Sequence, residues 1–225
     1  MKTNREAKPV LGSKAPFFEA NTTHGNIRFP DDFKGKWVIF FSHPADFTPV
    51  CSTEFIAFAR KQQELKALNT ELIALSVDTM FKHSHWIHSI EEALSEKEGL
   101  SIDFPVIDDS ELQVATKYDM IHPDVSEVLT VRTLYIIDPE GTIQLITHYP
   151  EGLGRSVDEI IRSLRGLQKL REERIAIPAN WVPGDDVIAI PHDMYLDSVE
   201  ARMAKDNSIK ECIDWYLCFK EDIEE

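Results

Sequence analysis

Short apolar runs alternate with longer amphipathic stretches in the first part of the chain, and this alternation constrains the fold more than any other feature. Residues 36–42 and 71–78 are nearly continuous apolar runs, as strands buried on both faces of a sheet are. Each run precedes a stretch with helical spacing of apolar residues, over about 49–68 and 80–98. The sequence predicts further elements in this order: small strands or a hairpin within 13–34, a strand at 104–108, a short helix near 110–118, a hairpin of 133–137 with 142–147, and a helix from Ser156 to about 170. Strands that alternate with helices and close with an antiparallel hairpin predict an α/β sandwich with a mixed sheet.

The regular spacing of apolar residues ends after Glu173. Residues 175–193 contain three prolines and a glycine with little periodicity, and residues 194–225 form an acidic segment that predicts short helices. We predict a domain boundary near 172–176, with a main domain over 1–172 and a C-terminal domain over 173–225. Because so small a segment cannot bury a core alone, we expect it to pack on the main domain or on a partner subunit.

Charge and hydropathy exclude several classes of function. The chain of 225 residues has 24 Lys and Arg against 39 Asp and Glu, a formal net charge of −15 and a pI near 4.9. A chain this acidic repels phosphate backbones, so we expect no nucleic-acid partner. No apolar run approaches the ~20 residues that span a bilayer, and the charged N-terminus lacks the apolar core of a signal peptide. We therefore expect a soluble cytoplasmic protein without a membrane partner.

The three cysteines, Cys51, Cys212 and Cys218, narrow the chemistry further. An odd number without an export signal predicts reduced thiols rather than a disulfide framework. The absence of a C-x-x-C pair argues against a zinc ribbon and a thioredoxin-type motif. No glycine-rich phosphate loop occurs, so a nucleotide cofactor has no support. An isolated cysteine such as Cys51 is compatible with a small buried hydrophobe as well as with a nucleophile.

The spacing His83-x-His85-x-x-His88 suggests a metal cluster at first sight. His85 and His88 share one face of the predicted helix, but no carboxylate or cysteine ligand accompanies them. We therefore expect a solvated or interface face and no metal.

The local sequence around Cys51 favours a reactive sulfur. The segment that begins at His43 connects a predicted buried strand to a predicted helix, with Thr48 at the N-cap and Pro49 at the first helical position. Cys51 then lies in the first turn, where free backbone N–H groups and the positive end of the helix dipole favour thiolate over thiol. A thiolate is the reactive species in peroxide reduction and disulfide exchange. The alternative is a helix that happens to begin with a cysteine.

The motif Pro44-x-x-x-Thr48-x-x-Cys51 resembles the peroxiredoxin signature P-x-x-x-T-x-x-C, which carries the peroxidatic cysteine of thiol-dependent peroxidases. Residues 131–138 resemble the strand that carries the family's active-site arginine. Residues 180–186 resemble the C-terminal domain of the one-Cys subgroup, and Asp214-Trp215-Tyr216-Leu217-Cys218 resembles the C-terminal motif of its archaeal and bacterial members. The resemblance covers essentially the whole chain and implies a thioredoxin-like three-layer sandwich with a mixed central sheet and a small C-terminal dimerisation domain.

The resemblance implies a thiol peroxidase that uses no metal, haem or flavin. Cys51 would attack the peroxide and become a sulfenic acid. Thr48 would hydrogen-bond the thiolate and the peroxide, and Pro44 would limit the access of water to the sulfur. Arg132 would stabilise the thiolate and the oxygen that gains charge as the O–O bond breaks.

Three more residues are assigned by the same resemblance. His43 matches the position at which the subgroup carries a histidine near the sulfur. Glu54, one turn along the helix, would orient an arginine, and Arg155 would be the second arginine near the pocket. A structural role is the alternative for His43 and for Arg155, and a simple ion pair with an acidic neighbour is the alternative for Arg132.

The two C-terminal cysteines separate two mechanisms. Archaeal-type relatives keep two such cysteines, so the resemblance implies that Cys218 resolves the oxidised Cys51 through an intersubunit disulfide, with Cys212 accessory. A strict one-Cys mechanism would use an external thiol instead. Two thiols buried among apolar neighbours are the remaining alternative.

The implied partners are hydrogen peroxide, alkyl hydroperoxides and a thioredoxin-like or small-thiol reductant, and the implied assembly is a homodimer that builds a decameric ring. A second hypothesis is a ring-forming holdase chaperone whose cysteine senses redox state. Thr48 and Arg132 argue against it, because a scaffold has no need of a polarised thiolate pocket. A third, a thiol–disulfide oxidoreductase, is disfavoured by the missing C-x-x-C pair.

Overall fold

The computed structural model describes residues 8–190 and 198–222, which form two units that divide after Val157. The helix before residue 172 belongs to the second unit in this division, whereas the predicted boundary places that helix in the main domain. The predicted domain boundary near 172–176 therefore remains a prediction.

A mixed sheet of seven strands forms the centre of the first unit. The strands are β1 (Phe18–Thr22), β2 (Gly25–Phe29), β3 (Trp37–Ser42), β4 (Thr70–Ser76), β5 (Val106–Asp108), β6 (Arg132–Ile137) and β7 (Ile143–Tyr149). Their order across the sheet is β2-β1-β5-β4-β3-β6-β7. Strands β3, β4 and β5 are parallel, whereas β1–β2, β1–β5, β3–β6 and β6–β7 are antiparallel pairs. The predicted mixed sheet, including the hairpin within 13–34, is confirmed.

Helices connect the parallel strands, as the alternation in the sequence predicts. The helices are α1 (Pro49–Ala67), α2 (Met80–Glu98), α3 (Gln113–Lys117), α4 (Val157–Glu172) and α5 (Val199–Lys205). No helix in the described ranges is long and apolar enough to cross a membrane.

Strand β3 is buried on both faces, which explains its continuous apolar run. Phe40 points to one face, where its ring lies 4.9 Å from that of Tyr118. Phe41 points to the opposite face and stacks on Phe58 of α1 at 4.5 Å, with Phe55 at 5.9 Å. Since successive side chains of a strand alternate between faces, these contacts fix α1 against one side of the sheet.

The register of the sheet brings the ends of two strands together. Strand β6 runs antiparallel to β3 with Phe41 opposite Leu134, so Arg132 begins β6 where β3 ends. The Ser42 hydroxyl, at the end of β3, donates to the Val131 carbonyl at 2.6 Å and accepts from the Thr133 N–H at 3.1 Å. The first turn of α1 follows this edge of the sheet.

The second unit contains a small sheet of its own. Its strands are β8 (Ile175–Ala176), β9 (Val187–Ala189), β10 (Ile209–Asp214) and β11 (Leu217–Lys220), in the order β10-β11-β9-β8. The acidic tail was predicted to form short helices; α5 is one, but residues 209–220 form a hairpin instead. Only Ile209 and Cys218 of this hairpin are buried, and its exposed positions mix charged residues with Ile213, Trp215 and Tyr216, so the sequence shows no clear apolar alternation.

Candidate active site

Cys51 is the third residue of α1 and is fully buried. Thr48 has extended backbone angles at the N-cap and Pro49 begins the helix, as the sequence predicts. The chain reaches this point through Phe47, whose φ of 59° is in the left-handed region that bulky residues avoid. Cys51 therefore lies among the N–H groups that a helix leaves without internal acceptors, at the positive end of its dipole.

Thr48 departs from the expected side-chain cap. Its hydroxyl donates to the Ala45 carbonyl at 2.8 Å and makes no capping hydrogen bond to the helix. With its hydrogen directed to Ala45, the Thr48 oxygen is an acceptor in this arrangement. Pro44, two residues after the end of β3, is buried.

Arg132 contacts the sulfur directly. Its Nη1 donates to Cys51 Sγ at 3.3 Å and to Glu54 Oε2 at 2.8 Å. Its Nε and Nη2 both donate to the Glu151 carbonyl, at 2.9 and 2.7 Å. Only 1% of Arg132 is exposed. Burial and these hydrogen bonds together fix the position of its guanidinium group. An arginine stays protonated in proteins, so a permanent positive charge touches Sγ.

Glu54 joins Arg132 to Arg155. The Arg155 guanidinium grips the Glu54 carboxylate with Nε and Nη2, both at 2.8 Å, and the Arg155 backbone N–H adds a third bond at 2.8 Å. Burial alone would raise the pKa of Glu54, but the charges and hydrogen bonds of Arg155, together with the charge of Arg132, outweigh it and lower that pKa. Glu54 is therefore a carboxylate held between two guanidinium groups.

The charges of this cluster balance only when the sulfur is ionised. Arg132 and Arg155 contribute two positive charges and Glu54 one negative charge, and all three are buried. A thiol at Cys51 leaves a net positive charge in the interior, whereas a thiolate neutralises it. Because uncompensated buried charge is costly, the cluster favours the thiolate.

His43, Asp46 and His83 form a second buried polar group. His43 Nε2 is 2.8 Å from Asp46 Oδ1, and Asp46 Oδ2 is 2.7 Å from His83 Nδ1. Burial lowers the pKa of His43, although Asp46 opposes this. Burial would raise the pKa of Asp46, but hydrogen bonds from both histidines outweigh it and lower that pKa to about 2. The His43 ring packs edge-on against Phe55, one turn after Cys51, with centroids 4.9 Å apart.

His83 is the buried residue that sequence reasoning missed. The expectation of a solvated face holds for His85 and His88, which are exposed, but it is wrong for His83, which is fully buried. The spacing of His83 with the buried Trp86 and Ile90 marks the inner face of α2 and was the available signal. In the described residues, no group of three or more His, Cys, Asp or Glu side chains could hold a metal ion.

The C-terminal cysteines form a disulfide in the second unit. Cys212 of β10 pairs with Cys218 of β11 across the hairpin, which corrects the expectation of reduced thiols. The reason is the register: directly opposed residues of antiparallel strands bring their side chains together. Cys218 is fully buried and Cys212 is partly exposed. Cys51 is a free thiol in the first unit.

A mixed thioredoxin-like sheet with a buried cysteine at a helix N-terminus, in contact with an arginine, defines a cysteine-dependent oxidoreductase. Sequence comparison agrees: the AhpC/TSA family matches residues 11–146, and the C-terminal domain of 1-Cys peroxiredoxin matches residues 166–200. A peroxiredoxin of Methanosarcina mazei is 51% identical over 216 residues, which cover 95% of this chain and 98% of that one. A peroxiredoxin of Aquifex aeolicus is 47% identical over 222 residues, covering 94% and 96%.

Solved structures give the same answer. A yeast mitochondrial 1-Cys peroxiredoxin superimposes with a TM-score of 0.82 at 39% identity, covering 95% of this chain and 99% of that one. A cysteine-to-serine mutant of the peroxiredoxin 6 of Arenicola marina has a TM-score of 0.83 at 32% identity, covering 96% and 99%. The chain belongs to the peroxiredoxin family, and it is a thiol-dependent peroxidase.

Proposed function

We propose that this peroxidase reduces hydrogen peroxide and small organic hydroperoxides with Cys51 as its peroxidatic cysteine. The observation that carries the proposal is the contact of 3.3 Å between Arg132 Nη1 and Cys51 Sγ in a cluster whose charges balance with a thiolate. The thiolate attacks one peroxide oxygen and the O–O bond breaks. Cys51 becomes a sulfenic acid, and the other oxygen leaves as hydroxide or alkoxide and takes up a proton.

The residues around Cys51 have separate roles in this step. Arg132 stabilises the negative charge that moves from sulfur to the leaving oxygen, an effect typically worth about 3–4 kcal/mol for one such donor. The Thr48 oxygen accepts a hydrogen bond from the peroxide hydroxyl, since its own hydrogen is held by Ala45. Pro44 shields the sulfur from water. Glu54 and Arg155 hold Arg132 in place.

The substitution Cys51→Ser tests this assignment. We expect it to abolish peroxide consumption with a thiol reductant such as dithiothreitol, because serine offers no thiolate. Cys212→Ser, the same substitution in the second unit, is the matched control and should keep consumption with dithiothreitol. Peroxide turnover that survives in Cys51→Ser would disprove the assignment.

Resolution of the sulfenic acid depends on the state of the C-terminal pair. One sulfur takes part in one disulfide at a time, so the Cys212–Cys218 bond has to be reduced before Cys218 can serve Cys51. The Cys218 thiolate of a partner subunit then attacks the Cys51 sulfenic sulfur, an intersubunit disulfide forms, and the S–O bond breaks to release hydroxide, which takes up a proton to become water. While the pair stays oxidised, an external thiol resolves Cys51. The yeast mitochondrial neighbour, whose structure addresses thiol resolution via glutathione and thioredoxin systems, supports this second route.

Non-reducing electrophoresis after one equivalent of peroxide separates the two routes. We expect the fully reduced protein and its Cys212→Ser variant to give disulfide-linked dimers, because both have a free Cys218. Cys218→Ser should give no linked dimer and should keep a sulfenic acid at Cys51 that dimedone traps. If Cys212→Ser forms no linked dimer, Cys218 is not the resolving cysteine and the external route operates alone.

The assembly and compartment follow from the family resemblance. We propose a homodimer that builds a decameric ring, with the segment 173–225 as its dimerisation domain, in the cytoplasm. Sedimentation velocity of the reduced protein tests the ring, and a monomer at micromolar concentration would contradict it.

A further inference from the structure

The hairpin β10–β11 closes through a turn whose own backbone does not favour closure. Asp214 pairs with Leu217, so Trp215 and Tyr216 form a two-residue turn. The turns that match the twist of a hairpin need a left-handed φ at one or both of these positions, which Asn and Gly adopt readily. Neither Trp215 nor Tyr216 has a positive φ, and both are bulky. We therefore expect a contact from another element to hold this turn.

Arg202 of α5 supplies this contact. Its Nη1 donates to the Trp215 carbonyl at 2.6 Å, and its Nη2 donates to the Ala189 carbonyl at the end of β9. The residue is buried, and among the residues that the structure describes no carboxylate forms an ion pair with it. Because a buried charged donor that loses its acceptors costs much free energy, the guanidinium group holds both carbonyls firmly.

The second carbonyl lies beside a buried sulfur. The ladder pairs Phe219 of β11 with Ile188 of β9. The preceding residue of β11, Cys218, therefore lies next to Ala189, and the two belong to one buried cluster against which Cys212 packs. Cys218 is fully buried, so in the closed hairpin its sulfur meets Cys212 and is inaccessible to a sulfur from another molecule.

The C-terminal end of β11 is anchored without Arg202. Lys220 belongs to the ladder with β9, and its Nζ lies 3.2 Å from a Glu173 carboxylate oxygen. Lys169 of α4 contacts Asp222, just beyond the strand, and lies 2.9 Å from the other Glu173 oxygen. Loss of the arginine contact therefore loosens β11 at the turn, where Cys218 is the second residue of the strand.

We infer that Arg202 is a positioning residue that keeps Cys218 opposite Cys212 and thereby decides which disulfide Cys218 forms. While Arg202 holds the turn, Cys218 pairs with Cys212 of the same chain. When the Trp215 carbonyl is released, Cys218 becomes free to reach the oxidised Cys51 of a partner subunit. The inference rests on the proposed function, in which Cys218 is the resolving cysteine.

The equilibrium of the Cys212–Cys218 pair with dithiothreitol tests the positioning role. Full-length Cys51→Ser protein is used, because the pair then contains its only cysteines. One dithiothreitol transfers two electrons and two protons to the pair, which becomes two thiols, and the reagent becomes its cyclic disulfide. Arg202→Met should shift this equilibrium toward the thiols by about 10-fold, because the two sulfurs are no longer held together. For a two-electron couple this is about 30 mV.

Two further variants separate this role from a general loss of stability. Arg202→Lys keeps the charge but not the fork of donors, so it should shift the equilibrium by about threefold. Trp215→Asn/Tyr216→Gly gives the turn residues that adopt a left-handed φ, and in the Arg202→Met background it should restore the equilibrium to within about twofold of the parent.

Lys210→Met is the matched control. Lys210 belongs to β10 of the same hairpin, but its ion pairs with Asp186 and Glu221 are exposed. Its loss should therefore shift the equilibrium by less than about twofold. An Arg202→Met shift no larger than that of Lys210→Met would overturn the inference. If Arg202→Met does not fold, an Arg202→Lys protein with the equilibrium of its parent would overturn it equally.

The share of linked dimers tests the choice of disulfide. After one equivalent of hydrogen peroxide, reduced Arg202→Met protein with all three cysteines should give at least about threefold more disulfide-linked dimer than wild type on non-reducing gels. An unchanged share would contradict the inference. If Cys212→Ser forms no linked dimer, the resolving role of Cys218 fails, and the dithiothreitol equilibrium still decides whether Arg202 positions the pair.

Discussion

At the scale of single residues, Glu54 is the side chain on which the site depends most. It receives one hydrogen bond from Arg132 and three from Arg155, and only 2% of it is exposed. Without its charge, two guanidinium groups would lie buried beside each other. Glu54 therefore stabilises the fold and sets the position of the cation that touches Cys51.

The substitution Glu54→Gln should lower the free energy of unfolding by about 3–5 kcal/mol, the usual cost of removing one partner of a buried ion pair. Urea denaturation of the reduced protein measures this. The matched control is Glu98→Gln, which removes the carboxylate from the exposed Arg60–Glu98 pair and should change stability little. Equal losses of unfolding free energy in the two variants would show that the buried ion pairs of Glu54 stabilise the fold no more than an exposed pair does.

At the scale of elements, the hydrogen bond between Asp46 and His83 joins the loop after β3 to α2, and its contribution to stability depends on pH. The folded pKa of Asp46 is about 2 against an ordinary value of 3.8, so its contribution to stability is present above pH 4 and is lost as the pH falls toward 2. The shift corresponds to about 2 kcal/mol. The stability difference between wild type and Asp46→Asn, from urea denaturation, should shrink by that amount between about pH 6 and pH 2. A stability difference between the two proteins that stays constant over this pH range would contradict this contribution of the Asp46 carboxylate.

The elements themselves are largely readable from the sequence. The apolar run of β3 and the order Thr48, Pro49 and Cys51 place the cysteine in the first turn of α1, because both patterns are local. The hairpin β10–β11 was missed, since only Ile209 and Cys218 are buried and apolar residues such as Ile213 are exposed beside the charged ones.

Contacts between residues that are distant in the sequence could not be predicted from local patterns. The pair of Glu54 and Arg155 spans 101 residues, and its geometry depends on the register of the whole sheet. The resemblance to the family named both residues, but no local pattern indicates that they meet. His83 lies 37 residues from Asp46, and its place on the inner face of α2 becomes clear only when the helix packs.

At the scale of the whole molecule, the two units hold different parts of the thiol chemistry. The first unit contains Cys51, Arg132, Arg155 and Glu54, which are the residues of the peroxide-reducing step in our proposal. The second unit contains the Cys212–Cys218 disulfide, whose redox state decides how Cys51 is resolved in our proposal. Oxidation of Cys51 is therefore expected to be independent of the C-terminal cysteines, whereas its recovery is not.

The central claim is that Arg132 activates the sulfur of Cys51. The most direct test is the second-order rate constant for oxidation of Cys51 by hydrogen peroxide, measured by stopped flow in a Cys212→Ser/Cys218→Ser background. Arg132→Met should lower this constant by about 100- to 1,000-fold, and Arg132→Lys, which keeps the charge without the guanidinium fork, should lower it less. A correctly folded Arg132→Met variant that reacts as fast as its parent would contradict the claim.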